Sequence, residues 1–308
     1  MSRGVLLSNW LGAAVGAEIK KHGSDAATPK NKRTREMKQG FIKATYLDHM
    51  GSDLSVVNAA RASFDKESTW DYGPPTEHLG YDNEVTYRQE RVLKKADAKL
   101  IRFLASGYRT GEWADFVATL TEVGHKNDPQ AVEAMLRSFK NKAQHWAPFA
   151  HPHIQVRVEM PIFLARQMVK HQVGGVWSEV SRRYVSDGLE FWLPDEWHVR
   201  PDDVKQGSGG AVQNAWFCSG TARRVTSQAE AAYQTLLAEG VAPEEARIVL
   251  PQNLMTTVVW TGSLLFWARV CNQRLDGHAQ LAAQELAKKI ADIMRPLFPV
   301  SWQELVHA

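Results

Sequence analysis

The segment that most constrains the fold runs from residue 154 to residue 184, where three local patterns follow one another. Apolar and polar residues alternate over 154–160, which predicts a half-buried strand. Pro161 suits a first helical position, and the apolar residues after it predict a helix. Gly174-Gly175 then breaks that helix. This order of strand, helix and glycine turn predicts a platform that presents the polar residues after the turn to a ligand.

The polar residues of this segment are of the types that bind an anion. Arg166 and Lys170 are four residues apart, as are Gln167 and His171, so each pair is expected to project from neighbouring turns of one helical face. After the glycines come serines, Glu179 and two arginines. Backbone N–H groups of a glycine-rich turn and guanidinium groups suit phosphate oxygens. A solvated basic helix end followed by a polar loop remains the alternative.

Composition narrows the class of protein. The 308 residues are 44% hydrophobic and 23% charged, as in soluble globular proteins of one large or two small domains. The net charge of +3 permits anionic ligands but lacks the concentrated basic stripe typical of nucleic-acid binding. No apolar run reaches the roughly 20 residues of a membrane helix. The cysteines, Cys218 and Cys271, form neither a disulfide framework nor a metal-ligand spacing, which favours a reducing compartment.

The domain organisation follows from the distribution of charge and turns. Residues 1–40 are predicted to be a basic extension, a solvated or oligomer-contacting arm, because an apolar start gives way to lysines and arginines. Its start superficially resembles a signal peptide, which we do not favour. The core is predicted over 41–308. It includes a strand over 44–48, helices over 54–61 and 225–237, and one long helical region over 263–295.

Several motifs resemble those of the flavin-dependent thymidylate synthases. The family signature reads Arg-His-Arg, then Ser, in a segment ending Glu-x-Ser-Gly-Arg-Tyr. The counterparts here are Lys170-His171-Gln172 and Glu179-Val180-Ser181-Arg182-Arg183-Tyr184. Further similar runs lie at 53–65, 144–151, 245–251 and 272–280.

The resemblance covers about residues 44–65 and 130–305. It implies an α+β fold in which mixed helices pack on a small antiparallel sheet. It also implies that about 66–128 is an insertion in the catalytic domain, since the family has a shorter link there.

The resemblance implies an activity. That activity is one-carbon transfer from methylenetetrahydrofolate to C5 of a deoxypyrimidine monophosphate, in its simplest form the FAD- and NADPH-dependent methylation of dUMP to dTMP. The family further implies a cytoplasmic homotetramer with active sites shared between subunits. Neither a membrane nor a nucleic acid is an expected partner.

The resemblance also implies roles for individual residues. Arg274 is the expected catalytic residue, because its fixed charge would stabilise negative charge on the pyrimidine ring. The expected substrate-binding residues are Gln167, Glu179, Ser181, Arg182, Arg183, Arg247 and Arg274. The expected cofactor-binding residues are Ser63, His145, Lys170, His171, Gln172, Ser263, Arg269 and His278.

Two other kinds of site are not favoured. His145, His151 and His153 lack Cys, Asp or Glu at ligand spacing, so we predict no metal. Cys271 lacks the sequence context of a nucleophile, and we interpret it as a packed helix cysteine.

The flavin half of the implied site departs from the family. Lys170 and Gln172 replace arginines, Ser263 and Leu265 stand where Asn and Arg are common, and Arg269 replaces an amide. Either FAD is bound through altered contacts, or the protein performs a related reaction without the usual flavin reduction. One alternative function is therefore a hydroxymethylase or methyltransferase that makes a 5-modified dUMP or dCMP. A separate alternative is an inactive relative that binds nucleotide or nucleic acid through its basic arm.

Overall fold

The computed structural model describes residues 37–79, 85–140, 144–201 and 207–307. The predicted arm falls almost wholly outside these residues. The strands are β1 (Lys43–Met50), β2 (Asp71–Tyr72), β3 (Thr76–Leu79), β4 (Val85–Arg88), β5 (Arg91–Val92), β6 (His153–Pro161), β7 (Gly175–Glu179) and β8 (Met255–Ser263). Four of them form an antiparallel sheet in the order β1-β6-β8-β7, and the other four form two small hairpin pairs.

Helices pack against the four-stranded sheet, which confirms the predicted α+β class. They are α1 (Asp53–Arg61), α2 (Lys95–Ser106), α3 (Thr110–His125), α4 (Pro129–Lys140), α5 (Ala147–Ala150), α6 (Ile162–Met168), α7 (Ala215–Ala238), α8 (Pro243–Ala246), α9 (Leu264–Arg274), α10 (Leu281–Leu297) and α11 (Pro299–Leu305). Short 3₁₀ turns follow α1 and α8, at Ala62–Phe64 and Arg247–Val249.

The predicted alternation over 154–160 becomes the central strand β6. Its residues Ile154, Val156, Val158 and Met160 are fully buried on one face. Helices α9 and α10 cover this core, with α10 burying an apolar stripe at helical spacing that includes Leu286, Ile290 and Met294. Burial of these side chains is the main stabilising contribution to the sheet–helix core.

Two predicted helices have different limits in the structure. The region 263–295 is two helices, because the chain turns at residues 275–280. In that turn the Asp276 carboxylate accepts a hydrogen bond from the His278 N–H (2.7 Å) and the Asp276 carbonyl accepts one from the Ala279 N–H (2.9 Å). The helix predicted after residue 160 has Pro161 as its N-cap and ends at Met168. Lys170 and His171 therefore follow the helix and do not share a face with Arg166 and Gln167.

Helix α2 lies within the predicted insertion yet is part of the core. Ile101 and Leu104 are buried in the main apolar cluster. The fully buried Asp97 accepts hydrogen bonds from Arg61 and from Ser68, each at 2.5 Å, and so ties α2 to α1. Removing one partner of such a buried ion pair is strongly destabilising.

The chain leaves this core after α2 and returns to the same place. The His145 N–H donates to the Leu104 carbonyl (2.9 Å), so the stretch between them is an excursion. The excursion contains α3 and α4, joined by a cluster of rings from Tyr108, Trp113, Phe116 and Phe139. The predicted insertion over 66–128 stays a prediction, but the element that stands apart from the core is this helical hairpin.

Residues just after the described start also join the core. The Gly40 N–H donates to the Phe191 carbonyl (3.0 Å), and the Phe191 N–H donates to the Lys38 carbonyl (2.9 Å). These bonds fix the segment that contains Glu190, whose carboxylate is paired with the Lys38 ammonium group.

Candidate active site

The first candidate site is a groove of about 820 Å³ between α6, the end of β7 and the 3₁₀ turn after α8. Four arginines line it, together with hydroxyl, amide and carboxylate side chains. The polar lining residues are Arg166, Glu179, Ser181, Arg182, Arg183, Arg247, Gln252 and Thr256. Such a concentration of guanidinium groups suits a phosphate or another oxyanion.

The end of β7 positions the serine and arginines of this groove. The Val180 N–H still pairs with the Thr257 carbonyl (2.9 Å), and the chain then turns, with the Tyr184 and Val185 N–H groups donating to the Ser181 carbonyl (3.1 and 3.2 Å). The Arg183 N–H and Nε–H both lie 3.3 Å from the Ser181 hydroxyl oxygen. Ser181 and Arg183 are therefore held side by side.

Arg182 is bound in a different way. Its guanidinium donates to the backbone carbonyls of Asp187 (2.7 Å) and Val185 (3.4 Å). Burial lowers the pKa of Arg182, partly offset by Tyr233 and the carboxylates of Asp187 and Glu190. Arg182 therefore braces its own loop, whereas Arg183 is exposed to the groove.

The other predicted substrate residues have distinct surroundings. Glu179 accepts hydrogen bonds from the Thr256 hydroxyl (2.8 Å) and from the Trp177 indole N–H (3.4 Å), which fixes its carboxylate. The Arg247 Nε–H donates to the Glu244 carbonyl (3.1 Å), which orients its guanidinium. The Gln167 amide oxygen is buried and has no hydrogen-bond partner among the described residues. A buried acceptor of this kind is costly unless a ligand or another chain supplies a donor.

A second, smaller groove of about 340 Å³ lies between the segment after α6 and the outer side of α9. The polar lining residues are Lys170, His171, Gln172, Arg269, Gln273 and Arg274. The Arg274 Nε–H donates to the His171 Nε2 atom at 3.0 Å. Burial lowers the pKa of Arg274, and burial followed by the Arg274 charge lowers the pKa of His171.

The lining of the second groove suits an anionic or polar ligand. Its described polar lining consists of cationic groups, amides and one imidazole, and contains no carboxylate. Such a lining accommodates the pyrophosphate or the polar ring edge of a flavin nucleotide. The volume of about 340 Å³ is at the lower end of the roughly 300–1,000 Å³ of pockets for drug-sized ligands, and FAD is larger than such a ligand, so the groove of one chain could hold only part of it.

Gly175, the first residue of β7, has a packing role. A Cβ on Gly175 would lie 2.7 Å from the Phe266 ring, and one on Gly262 of the neighbouring strand would lie 2.1 Å from it. The ring packs edge-on against Trp260 and Trp267. Gly174 lies in the predicted turn at a φ of 88°, and Gly175 is already the first residue of β7, so binding of an anion at this turn stays a prediction.

The remaining predicted cofactor residues lie outside the second groove. Ser63 and His145 are exposed near α1 and α5, where the His145 ring lies 5.2 Å from that of Phe103. The Ser263 hydroxyl is buried and accepts the Phe266 N–H (3.1 Å), so it caps α9. His278 is exposed and bound to Asp276 (3.0 Å). Their contacts with a cofactor stay predictions.

The structure separates the predicted substrate residues into two places. Glu179, Ser181, Arg182, Arg183 and Arg247 line the first groove and Arg274 lines the second, whereas Gln167 lines neither. Sequence reasoning missed Arg166, Gln252 and Thr256 as lining residues of the first groove. Arg166 carried a usable signal, because it lies on the helix that also carries Gln167.

Two other kinds of site were sought in the described part of the chain. No cluster of three or more His, Cys, Asp or Glu side chains there is arranged to hold a metal ion. None of the helices described is both long and apolar enough to cross a membrane.

Comparison with known proteins adds independent findings. Residues 45–300 match the protein family described as thymidylate synthase complementing protein. A flavin-dependent thymidylate synthase of Thermus thermophilus is 34% identical over 170 residues, which are 55% of this chain and 62% of that protein. The chain therefore matches less than two thirds of the length of that relative. The corresponding protein of Thermosipho melanesiensis is 34% identical over 220 residues, which are 70% of this chain and 93% of that protein.

A solved structure shares the fold. The crystal structure of a UMP/dUMP methylase, PolB from Streptomyces cacaoi bound with 5-Br dUMP, superposes with a TM-score of 0.61 at 22% identity. The superposition covers 87% of this chain and 96% of that one.

Proposed function

This chain belongs to the thymidylate synthase complementing protein family, and we propose that it transfers a one-carbon unit to C5 of a deoxypyrimidine monophosphate. In the simplest form the reaction is the methylation of dUMP to dTMP. Support comes from the relatives named flavin-dependent thymidylate synthases and from the arginine-lined first groove. The groove is the observation that carries the proposal, since a nucleoside monophosphate offers the dianionic group that its guanidinium groups fit.

The nucleotide phosphate is proposed to bind Ser181, Arg183 and Arg247. Two of these are already oriented, Arg183 by the Ser181 hydroxyl and Arg247 by the Glu244 carbonyl. Arg166 is added to the proposed set because it lines the same groove. Arg182 is left out because its guanidinium is bound to backbone carbonyls. Glu179 and the buried oxygen of Gln167 are proposed to fix the nucleoside, as acceptors for its donors.

Arg274 is proposed to act on the pyrimidine ring. Its guanidinium would stabilise the negative charge that develops on the ring as C5 becomes nucleophilic. Arg274 and the proposed phosphate residues line different grooves of one chain. We therefore propose a homotetramer in which the first groove of one subunit meets the second groove of another, so that each site is shared.

FAD is the proposed cofactor, with NADPH and methylenetetrahydrofolate as co-substrates. Bound FAD would supply the redox chemistry that reduces the transferred carbon. Lys170, His171, Gln172 and Arg269 are the residues of this chain proposed to hold it, because they line the second groove beside Arg274. The cationic lining would favour negative charge on the cofactor.

The test is the mass of the nucleotide produced from dUMP and, separately, from dCMP. The purified chain is supplied with methylenetetrahydrofolate, NADPH and FAD, and each is omitted in turn. We expect dTMP, formed from dUMP only when all three are present. A hydroxymethyl product formed without NADPH would favour the hydroxymethylase instead. No change at C5 of either nucleotide under any condition would contradict the proposal.

A further inference from the structure

Building on the proposed function, we infer that His171 is a positioning residue that holds the guanidinium of Arg274 in place by accepting its Nε–H. His171 is already an expected cofactor contact, and this second role concerns the residue proposed to act on the pyrimidine. Through this bond the segment after α6 would set the direction in which Arg274 presents its charge.

The bond joins two elements that the chain itself separates widely. His171 lies just past the end of α6, and Arg274 is the last residue of α9. The Arg274 Nε and His171 Nε2 atoms are 3.0 Å apart, although the residues are 103 positions apart in sequence. Both side chains are partly buried. An arginine held at Nε keeps its two terminal NH₂ groups free for a ligand, which is the orientation a ring contact requires.

The direction of the bond fixes the state of the imidazole. A guanidinium has donors only, so His171 Nε2 must be unprotonated and the ring proton must lie on Nδ1. The bond therefore exists only while His171 is neutral. Protonation would place a donor opposite a donor and a positive charge against Arg274.

The surroundings favour that neutral state. The charged groups that line the groove with His171 are Lys170 on its own segment and Arg269 and Arg274 on α9. All are cations, and burial and the Arg274 charge lower the pKa of His171 below its ordinary value of about 6.5. The positioning bond is therefore present at neutral pH, and it is lost as the pH falls through this lowered pKa.

Two substitutions test whether His171 positions Arg274 through a hydrogen bond or only fills the space beside it. The amide oxygen introduced by His171→Gln can accept the same hydrogen bond and does not titrate. The side chain introduced by His171→Leu fills the space but offers no acceptor. We expect His171→Leu to lower kcat by about tenfold or more, the effect of losing one charge-assisted hydrogen bond. We expect His171→Gln to retain most of kcat and to lose the acidic limb of the wild-type pH profile. His125→Gln, on the exposed end of α3, is the matched control.

A measurement without turnover keeps this inference separate from the proposed activity. Nitrogen NMR of histidine-labelled protein reports the protonation of His171 Nε2, with His171→Gln assigning the signal. We expect an unprotonated Nε2 at neutral pH and a pKa that rises in Arg274→Gln, because a donor and a cation are removed. An unchanged titration of His171 in Arg274→Gln would overturn the inference. If the pKa of His171 does rise in Arg274→Gln but the protein forms no product, only the proposed function is overturned.

Discussion

At the scale of single residues, the arginines near the first groove differ in what their guanidinium groups contact. Arg182 donates through one terminal NH₂ group to the backbone carbonyls of Val185 and Asp187, whereas Arg247 donates its Nε–H to the Glu244 carbonyl. The bond at Nε leaves the terminal NH₂ groups of Arg247 out of this contact, and the residue lines the groove. The two arginines line the same groove, but Arg182 braces its own loop, whereas Arg247 is the one proposed to contact a ligand.

Arg247→Ala is predicted to weaken the binding of dUMP by about tenfold or more, because one charge-assisted contact to the phosphate is lost. The thermal midpoint of unfolding should change little, since the Arg247 side chain is exposed. Isothermal titration calorimetry measures the effect. Arg137→Ala is the matched control, because Arg137 is an exposed helix arginine that pairs with Glu133 (2.6 Å) and lines neither groove. Equal affinities for the two variants would remove Arg247 from the phosphate site.

Cys271 is predicted to be chemically inert in the folded protein. Burial raises the pKa of its thiol to about 12, and its sulfur lies 3.7 Å from the Ala287 carbonyl. At pH 8 only about one molecule in ten thousand would carry the thiolate that an alkylating reagent attacks. Iodoacetamide should therefore label Cys218, which is partly exposed, well before Cys271. Rapid labelling of both cysteines, located by peptide mass spectrometry, would reopen the possibility of a nucleophilic Cys271.

At the scale of elements, the edge of the sheet beside the second groove is shaped by one aromatic ring. Phe266 occupies a notch whose walls are glycines on β7 and β8, and it packs against Trp260 and Trp267. The ring thus joins strand β7, and with it the start of the Ser181 loop, to helix α9. Phe266 itself lines the second groove, and the far end of β7, at Glu179, lines the first.

Gly262→Ala is predicted to destabilise the protein by about 1–3 kcal/mol, the usual cost of overpacking. The added Cβ would lie 2.1 Å from the Phe266 ring. Gly220→Ala is the control, because nothing lies within 4 Å of a Cβ there, and on helix α7 it should stabilise by up to about 1 kcal/mol.

A double-mutant cycle identifies the cause of that loss. If the Phe266 ring is responsible, Gly262→Ala and Phe266→Ala together should cost less than the sum of the two single changes. Denaturant unfolding of the four proteins gives the coupling energy. Strict additivity would mean that the clash with Phe266 is not the cause.

The elements also mark what could be predicted from the sequence. The alternation over 154–160 and the apolar spacing of α10 are local patterns, and they gave the central strand and the covering helix. The contact of Gly175 with Phe266 and the bond between His171 and Arg274 join positions far apart in the chain. Spacing along one segment carries no information about such contacts. The interpretation of the glycine pair as an anion-binding turn therefore could not include the room that Gly175 leaves for the Phe266 ring.

At the scale of the whole molecule, local sequence patterns likewise did not show how the residues of the candidate site are arranged. The motifs predicted one set of substrate residues, but the sheet and helices distribute them over two grooves of the chain. Family resemblance supplied the residue types, and only the folded chain shows which side of the molecule each one faces. The proposal that subunits share active sites follows from this separation, with each groove contributing half of a site.

Mixing two defective variants tests that proposal most directly. Arg247→Ala lacks a proposed phosphate contact and Arg274→Ala lacks the proposed ring contact, so at a dUMP concentration well below the wild-type Kd each should have about a tenth of wild-type activity or less alone. Subunits are mixed in equal amounts and exchanged by mild denaturation and refolding, and dTMP formation is measured. If each site draws Arg247 from one subunit and Arg274 from another, about a quarter of the sites in a random mixture are intact. The account predicts recovery of about that fraction of wild-type activity. Activity no greater than the sum of the two variants alone would contradict it and would place both arginines in one subunit's site.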